Sequence, residues 1–322
     1  MKKIAFMAFA LCAILAQAAC NNTKGTDKGD EPIPMFVQVY DSLNLEMIYW
    51  TGFDQPAKDE DNDKYYEDWY NEWFYQDQFR KHKEEYTKIL ANDQTFAPIK
   101  FVNEIAIGKG EGEFMEYGMI RSSLEVKTPG SFYAMSDPES YDSEKFFWMH
   151  LIVTDSYLAS HKLLAVDYFD YSESDTVSLP QNVVQKLEKK YGMKASRSAQ
   201  VCKIGNRYIF GLVQFEGEYK NAPKDPDDDR KYCLALDVLI DGNKVYCYED
   251  LGNFDEVYGQ TWNVDDDGMY IPTGINAAFD GPKGLELYYV RTAPESCAVG
   301  RYTIQNGKLE KRNYSTYYIY YD

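Results

Sequence analysis

Short runs of β-forming residues recur along most of this 322-residue chain, and Gly, Pro, Asn and Asp separate them. The runs are rich in Val, Ile, Tyr, Phe and Trp, the residue types that fit a pleated, half-buried surface. The pattern therefore predicts a mainly β protein. The predicted strands are Met35–Tyr40, Glu46–Thr51, Ile99–Ile107, Phe114–Ile120, Phe146–Thr154, Lys162–Tyr171, Tyr208–Phe215, Tyr232–Leu239, Lys244–Tyr248, Leu285–Arg291 and Tyr314–Tyr321.

The turns between these runs favour antiparallel pairing. Asp241-Gly242, Asp267-Gly268 and Asn306-Gly307 each lie between apolar runs. Gly accepts a positive φ at little cost and Asn or Asp tolerates it, so such pairs suit tight hairpins. Tyr208–Phe215 is apolar at nearly every position, which indicates a central strand covered on both faces. We expect an antiparallel, β-propeller-like architecture, with a β-sandwich as the alternative.

The first residues have the features of an export signal. Lys2 and Lys3 precede Ile4–Leu15, a twelve-residue apolar run. About 20 residues are needed to span a bilayer as a helix, so this run suits the core of a signal peptide. Ala18-Ala19-Cys20 resembles the lipobox of bacterial lipoproteins, in which the Cys is lipidated and becomes the mature N-terminus. Ordinary cleavage after Ala18, which would leave a free Cys20, is the alternative.

This resemblance implies a signal peptide over residues 1–19 and a lipid anchor on Cys20. Residues 20–34 are polar, rich in Gly, Asp and Lys, and lack periodicity, which predicts a flexible tether. The β-rich domain then covers residues 35–322. The expected location is the bacterial cell envelope, on the periplasmic side or the cell surface, with the membrane contacted through the N-terminal lipid.

The charge of the chain limits its partners. It has 34 Lys and Arg against 52 Asp and Glu, a formal net charge of −18. Removal of Lys2 and Lys3 with the leader leaves 32 against 52, or −20. Such a surface repels nucleic-acid phosphates and does not favour anionic lipid, so we expect no nucleic-acid partner. The acyl chains would have to hold the protein at the membrane.

Two stretches have helical spacing. A helical insertion is predicted near residues 63–92, where aromatic residues recur at i, i+3, i+4, i+7 and i+8. The second helix is Pro180–Tyr191, with Ser178 as a cap and Gly192 as its end.

The aromatic face of the first helix is one candidate binding surface. Trp69, Tyr70, Trp73 and Phe74 crowd one side of it. Such a face can belong to the core. It can also be a platform that stacks on sugar rings or contacts a partner protein, since Tyr and Trp are enriched at such surfaces. We predict these four residues as ligand-binding candidates.

Four cysteines remain in the body of the chain: Cys202, Cys233, Cys247 and Cys297. An even number in an exported chain permits two disulfides with three possible pairings. Reduced, buried thiols are the alternative. In a two-residue hairpin Cys247 should face Leu236, which argues against a direct bridge from Cys247 to Cys233.

The sequence offers one candidate metal site. Asn263, Asp265 and Asp267 alternate and precede Gly268, as in the first half of a calcium-binding loop. The twelfth position of that loop is Gly274, where a bidentate Glu is needed. An acidic β-turn is therefore the preferred interpretation, and we predict no cofactor, with Ca²⁺ at this turn as the alternative.

No catalytic motif stands out. His150 and His161 bracket Asp155 and Ser156, but triads assemble in space, so proximity along the chain does not indicate one. We predict a non-enzymatic, lipid-anchored module that binds a glycan or an envelope protein. The alternatives are a carbohydrate-active hydrolase with a carboxylate pair and a purely structural envelope lipoprotein.

Overall fold

Antiparallel β-strands make up most of the described chain, which confirms the predicted fold class. The structure, a computed structural model, describes residues 32–41, 44–48, 82–105, 130–135, 148–169, 176–223, 230–262, 268–293 and 296–318. From Ile33 onward the described residues belong to one compact unit, Ile33–Asp322. The other unit, Met1–Pro32, lies outside the described residues except for Pro32.

Six strands form a sheet that closes on itself, which we call the closed sheet. Its neighbours follow the order β1-β2-β5-β4-β3-β6, and β6 pairs again with β1. A 3-10 turn, Lys83–Glu85, leads into β3. The strands are Met35–Asp41 (β1), Asn44–Ile48 (β2), Tyr86–Leu90 (β3), Phe96–Ile105 (β4), Gly130–Met135 (β5) and Trp148–Thr154 (β6).

The remaining strands form two further antiparallel sheets. The middle sheet has the order β17-β16-β15-β14-β7, and the outer sheet has the order β13-β12-β11-β10-β9-β8. The middle sheet contains Lys162–Leu164 (β7), Gly274–Gly281 (β14), Gly284–Ala293 (β15), Ser296–Gln305 (β16) and Lys308–Tyr318 (β17). The outer sheet contains Val166–Tyr168 (β8), Ala195–Ile204 (β9), Tyr208–Phe215 (β10), Lys231–Asp241 (β11), Lys244–Asp255 (β12) and Gly259–Thr261 (β13).

Two of the predicted hairpin turns are confirmed. Asp241 pairs with Lys244 across the β11–β12 turn, and Gln305 pairs with Lys308 across the β16–β17 turn. Asn306 and Gly307 have φ values of 51° and 76°. That left-handed backbone is the geometry for which Asn-Gly is suited. Of the third pair, Gly268 is described and Asp267 is not.

In the described part of the chain, two short helices accompany the sheets: Asp155–Ser160 (α1) and Gln181–Tyr191 (α2). α2 confirms the predicted second helix, and Gly192 ends it with a φ of 67°. The predicted cap is wrong, because Pro180 occupies the N-cap position and no side chain caps the helix. The backbone carbonyl of Ser178 instead accepts a hydrogen bond from Gln200 at 2.8 Å.

The helix predicted near residues 63–92 is wrong at its C-terminal end. Residues 63–81 lie outside the described residues, whereas Tyr86–Leu90 is strand β3. Tyr86, Ile89 and Leu90 are buried at a spacing that resembles a helix. The pairing of β3 with β6 changes register between Tyr86 and Lys88. This β-bulge interrupts the alternation of side chains between the two faces of the strand, and the interruption produces the helix-like spacing.

The middle sheet is covered on both faces. On one face Leu287, Tyr289 and Tyr302 pack against Phe210 and Leu239 of the outer sheet. On the opposite face the middle sheet meets the closed sheet, through a second cluster that includes Phe36, Leu90, Leu151, Phe279 and Tyr288. The face-to-face packing of the middle and outer sheets corresponds to the sandwich that the sequence left as an alternative.

Strand β10 confirms the prediction of a central strand with two covered faces. It pairs with β9 and β11, and α2 covers the far face of the outer sheet through Val183, Leu187 and Tyr191. A Cβ at Gly211 would lie 2.3 Å from the carbonyl oxygen of Ala199. The close approach of β9 therefore requires glycine at this position.

Candidate functional site

Most of the predicted site residues lie outside the described residues. This applies to Cys20, to Trp69, Tyr70, Trp73 and Phe74, and to Asn263, Asp265 and Asp267. Their predicted roles stay predictions. Within the described part of the chain, no group of three or more His, Cys, Asp or Glu is placed to hold a metal ion. None of the described helices is long and apolar enough to cross a membrane.

Three of the four disulfide candidates form no disulfide: Cys202, Cys233 and Cys247. The side chain of Cys297 lies outside the described ones. Cys247 pairs with Val238 across the hairpin, so the predicted partner Leu236 is wrong. The two turn residues are Gly242 and the residue after it, and not Asp241 and Gly242 as predicted. The register therefore differs from the predicted one by two positions.

The histidines and their polar neighbours make separate local contacts. Nδ1 of His150 lies 2.8 Å from the carbonyl oxygen of Leu90, deep in the closed sheet. His161 stacks on Tyr157 with ring centroids 3.8 Å apart. Asp155 accepts a hydrogen bond from a threonine hydroxyl of β3 at 3.0 Å. These contacts anchor α1 and the strands beside it, and they do not assemble a catalytic triad.

The most concentrated polar group in the described structure lies between the outer and middle sheets. We call it the inter-sheet cluster. Four of its members are charged and five are neutral, and they come from five strands and the segment before β14. The members are Asp237, Tyr248, Asp250, Tyr270, Thr273, Tyr289, Arg291, Tyr302 and Lys311.

Strand pairing explains why these side chains meet. Asp237 of β11 pairs with Tyr248 of β12, so both project from the same face of the outer sheet. Asp250 follows two residues later on that face. In the middle sheet, Tyr302 of β16 pairs with Lys311 of β17. The two faces oppose each other in the shared core, which brings the four strands together.

Asp237 is completely buried and only partly satisfied. Its Oδ2 accepts hydrogen bonds from the Tyr302 hydroxyl and from Thr273 Oγ1, the latter at 3.3 Å. Its Oδ1 is buried and has no hydrogen-bond partner among the described residues. Buried polar atoms are nearly always bonded, so an orphaned carboxylate oxygen is a feature that requires an explanation.

The second carboxylate, Asp250, is paired. Its Oδ2 accepts from the Arg291 guanidinium and from the Tyr270 hydroxyl, the latter at 3.0 Å. Burial opposes ionisation of Asp250, but Arg291 and then Lys311 outweigh it, and its pKa lies below the ordinary value. Arg291 also lies over the Tyr270 ring, with 4.8 Å from Cζ to the ring centroid.

Lys311 lies among three tyrosine rings. Its Nζ is 4.9 Å from the centroid of Tyr248, 5.2 Å from that of Tyr289 and 5.6 Å from that of Tyr302. No described carboxylate forms an ion pair with it. Burial lowers the pKa of Lys311, and Asp237 is the charged neighbour that most strongly opposes this shift. The rings attract the ammonium through their negative faces.

A glycine makes room for this arrangement. A Cβ at Gly300 would lie 2.5 Å from the Tyr289 hydroxyl oxygen and 2.2 Å from the carbonyl oxygen of Arg312. Gly300 pairs with Tyr289 across β15 and β16. The absence of a side chain there lets the Tyr289 ring lie against the sheet and reach Lys311.

The inter-sheet cluster opens gradually towards solvent. Asp237 and Tyr302 are 0% exposed, whereas the side chains of Arg291 and Asp250 are 16% and 21% exposed. Tyr248 and Lys311 are also half-buried. Burial, with Asp250 and Asp237 beside it, raises the pKa of Tyr248 to about 12. The exposed end of the cluster is formed by Tyr248 and Asp250 of β12, Arg291 of β15 and Lys311 of β17, and we call it the rim.

The two carboxylates of the cluster do not resemble a glycosidase pair. Such a pair flanks an open cleft, with one group on each side of the scissile bond. Asp237 and Asp250 instead project from one face of one sheet, and tyrosine, threonine and arginine side chains donate to Oδ2 of these carboxylates. The arrangement suits hydrogen bonding and charge pairing at a fixed position.

A further buried carboxylate, which is not part of the inter-sheet cluster, lies on the opposite face of the middle sheet. Glu286 accepts hydrogen bonds from the hydroxyls of Tyr157 and Tyr288 at 3.0 and 2.9 Å, and from Arg301 at 3.2 Å. Three donors at one carboxylate oxygen leave this group well solvated by the protein. We interpret it as a structural link between α1 and the middle sheet.

The sequence patterns that predict strands and turns do not mark the inter-sheet cluster. Its local signal is a charged residue inside an apolar strand, as with Asp237 in the run Cys233–Ile240. A charge in such a run needs a buried partner, which the neighbouring strands then supply. The chain matches no protein-family model, no curated protein and no solved structure.

Proposed function

We propose that this protein is an exported, lipid-anchored envelope lipoprotein that binds a partner molecule and does not transform one. The basic start at Lys2, the apolar run Ile4–Leu15 and the small residues before Cys20 support export and lipidation. The acidic surface argues against nucleic acid as that partner. A glycan or an envelope protein is the partner class that we propose.

The rim of the inter-sheet cluster is the observation that carries the binding role. It combines tyrosine rings, a guanidinium, an ammonium and a carboxylate at the partly exposed end of a rigid core. Ligand sites typically combine an aromatic or apolar wall with a few fixed polar groups. Regular strands hold these groups, so they are already ordered before a ligand arrives.

Membrane fractionation of a Cys20→Ala variant tests the anchor. Expressed in a bacterial host, the wild-type chain should sediment with membranes, and the variant should be soluble because no acyl chain holds it. Cys12→Ala is the matched control, since it changes a cysteine in the same leader and should leave the protein membrane-bound. Mass spectrometry of the mature N-terminus should find acyl chains on Cys20. A membrane-bound Cys20→Ala protein, or an unmodified N-terminus, contradicts the proposal.

A further inference from the structure

Strand β12 has an open side. On one side it pairs with β11 along a ladder without a register shift. On the other side, within the described residues, it pairs with β13 alone, and that pairing covers residues 253–255. Trp262 follows β13 and lies against Gly252, where a Cβ would come within 2.7 Å of its ring. Residues 244–251 therefore form an edge of the outer sheet.

This edge presents backbone hydrogen-bonding groups. Asp241 and Lys244 flank a two-residue turn, so they form a hydrogen-bonded pair, and every second residue from Lys244 onward directs its backbone groups at β11. The residues between them direct their N–H and C=O groups to the open side. They are Val245, Cys247, Glu249 and Leu251. An added strand can supply partners for these groups.

The usual protections of an edge strand are weak in β12. It contains no proline, and its pairing with β11 has no bulge. Its charged residue on the inter-sheet face, Asp250, is already paired with Arg291. Residues 245–248 are valine, tyrosine, cysteine and tyrosine, and all four are half-buried. The edge is therefore regular and largely apolar, and a strand that covers it removes apolar surface from water.

The side chains of this edge are complementary to those of a second copy. Two β12 strands can pair antiparallel about a two-fold axis, and an axis at Cys247 places Lys244 of one copy opposite Asp250 of the other. It also places Tyr246 opposite Tyr248, which is an aromatic cross-strand pair. Each of these pairs forms twice, because the axis relates the two copies symmetrically.

The length of the edge selects this register. Residues 244–250 of the two copies then pair with each other, and the pairing stops before Trp262 of either copy. An axis one residue further along would place Lys244 opposite Gly252, against which Trp262 packs. An axis one residue earlier would separate Lys244 from Asp250 of the other copy.

The other charges near the edge do not oppose this pairing. Glu249 of one copy lies opposite Val245 of the other, so the register places no two like charges directly across from each other. On the flanking elements, Lys190 of α2 acts on the Cys247 thiol and Glu310 of β17 acts on the Tyr248 hydroxyl, so both signs are present. The net charge of −18 repels a second copy at long range, but physiological salt screens exposed charges beyond about 8 Å.

We propose that a second copy of this chain pairs with β12 through its own β12, antiparallel about a two-fold axis at Cys247. The two outer sheets then form one continuous sheet, joined by about six backbone hydrogen bonds. The rims of the two copies lie side by side, with Tyr246 of one copy beside Tyr248 of the other. This inference rests on the proposed binding role of the rim, and it names the partner as a protein, a second copy of the chain.

Sedimentation velocity tests the dimer on the full-length, lipidated protein, in detergent at which micelles far outnumber protein molecules. As the protein concentration rises from about 1 to 100 µM, a species with twice the protein mass should replace the monomer, as a micromolar Kd requires. A chain that stays monomeric up to about 100 µM overturns the proposal.

A charge reversal at the end of the edge tests whether β12 forms the interface. Lys244→Glu turns both attractions to Asp250 into repulsions, so the Kd of the dimer should rise at least about tenfold. Lys100→Glu makes the same change of charge at an exposed lysine of the closed sheet, and it should leave the Kd unchanged. Equal Kd values for these two variants place the interface elsewhere and overturn the proposal.

Two substitutions at one position test the register. Val245→Lys and Val245→Glu lose the same apolar contact, and the proposed axis places residue 245 opposite Glu249 of the other copy. Lysine there gains two attractions and glutamate gains two repulsions. Val245→Lys should therefore dimerise at least about tenfold more tightly than Val245→Glu. Equal affinities of the two variants contradict the axis at Cys247.

The anchor and the dimer fail separately in these experiments. A protein that is lipidated on Cys20 but stays monomeric refutes the dimer and leaves the lipoprotein intact. A protein that dimerises through β12 but carries no lipid refutes the anchor and leaves the strand pairing intact.

Discussion

Replacing Tyr302 by phenylalanine should weaken the fold more than the loss of one oxygen atom suggests. The Tyr302 hydroxyl donates to the completely buried Asp237 carboxylate. Oδ1 of that carboxylate has no partner, so Thr273 Oγ1 at 3.3 Å would be its one remaining donor within the described residues. Phenylalanine keeps the ring, and with it the apolar contacts and the ring face beneath Lys311.

The size of the effect follows from the charge of the acceptor. A hydrogen bond to a charged group contributes about 1.5–3 kcal/mol to stability, and a buried group that loses its donor also loses solvation. We therefore expect Tyr302→Phe to lower the free energy of unfolding by about 2–3 kcal/mol. For a domain of this size that corresponds to a fall in Tm of roughly 5 °C.

Urea unfolding followed by tryptophan fluorescence measures this change. Tyr258→Phe is the matched control, because Tyr258 is 87% exposed and loss of its hydroxyl should change stability by less than about 0.5 kcal/mol. Asp237→Asn in the Tyr302→Phe background completes a double-mutant cycle, with an expected coupling of at least about 1 kcal/mol. A Tyr302→Phe protein as stable as the Tyr258→Phe control would refute the idea that this hydroxyl solvates a buried carboxylate.

Three further predictions concern other residues of the same core. Asp250→Asn leaves the mostly buried Arg291 guanidinium unpaired, and should lower stability at pH 7 by about 3 kcal/mol in urea unfolding. Because the native pKa of Asp250 is lowered, its contribution is present at pH 7 and lost as the pH falls through that pKa, so the deficit should shrink at pH 3. Gly300→Ala places a Cβ 2.5 Å from a buried tyrosine hydroxyl and should lower stability by about 2–3 kcal/mol, whereas Gly274→Ala, with its nearest atom at 3.3 Å, should change it by under about 1 kcal/mol. Burial raises the pKa of Cys202 to about 12, so at pH 8 its thiolate fraction is roughly a thousandfold below that of the unfolded chain. After treatment with a thiol reagent, peptide mapping should find Cys202 modified in guanidinium chloride and unmodified in buffer. Equal modification in both solvents, or equal losses in the two glycine variants, would contradict the packing described here.

Local patterns predicted the elements whose signals are contained within a few residues. The spacing of Val183, Val184 and Leu187, followed by Gly192, predicted α2 because a helix repeats every 3.6 residues and ends where a left-handed residue is tolerated. Asn306-Gly307 predicted its hairpin for the same kind of reason. The apolar run Tyr208–Phe215 predicted both the bounds of β10 and its two covered faces.

Strands with weak local signals were missed. β9, β14 and β16 contain many small or polar residues, and their runs do not alternate cleanly. They form because strong neighbours pair with them, as β10 pairs with β9 and β15 pairs with β14 and β16. Bulges in the β9–β10 and β14–β15 pairings shift the faces and blur the alternation on which a prediction depends. The helix predicted over Tyr86–Leu90 was wrong because a bulge imitated helical spacing there.

The amino-acid sequence by itself determined a β-rich chain with glycine turns, the helix that ends at Gly192, and a strongly acidic composition. These properties depend on backbone preferences and on side-chain charge, which act within a few residues or on the chain as a whole. The tertiary structure decided that Asp237 meets Thr273, 36 residues away, and Tyr302, 65 residues away. Such contacts depend on how the middle sheet is placed over the outer one, and no short run of residues specifies that placement. The inter-sheet cluster exists because the middle and outer sheets bury their faces against each other.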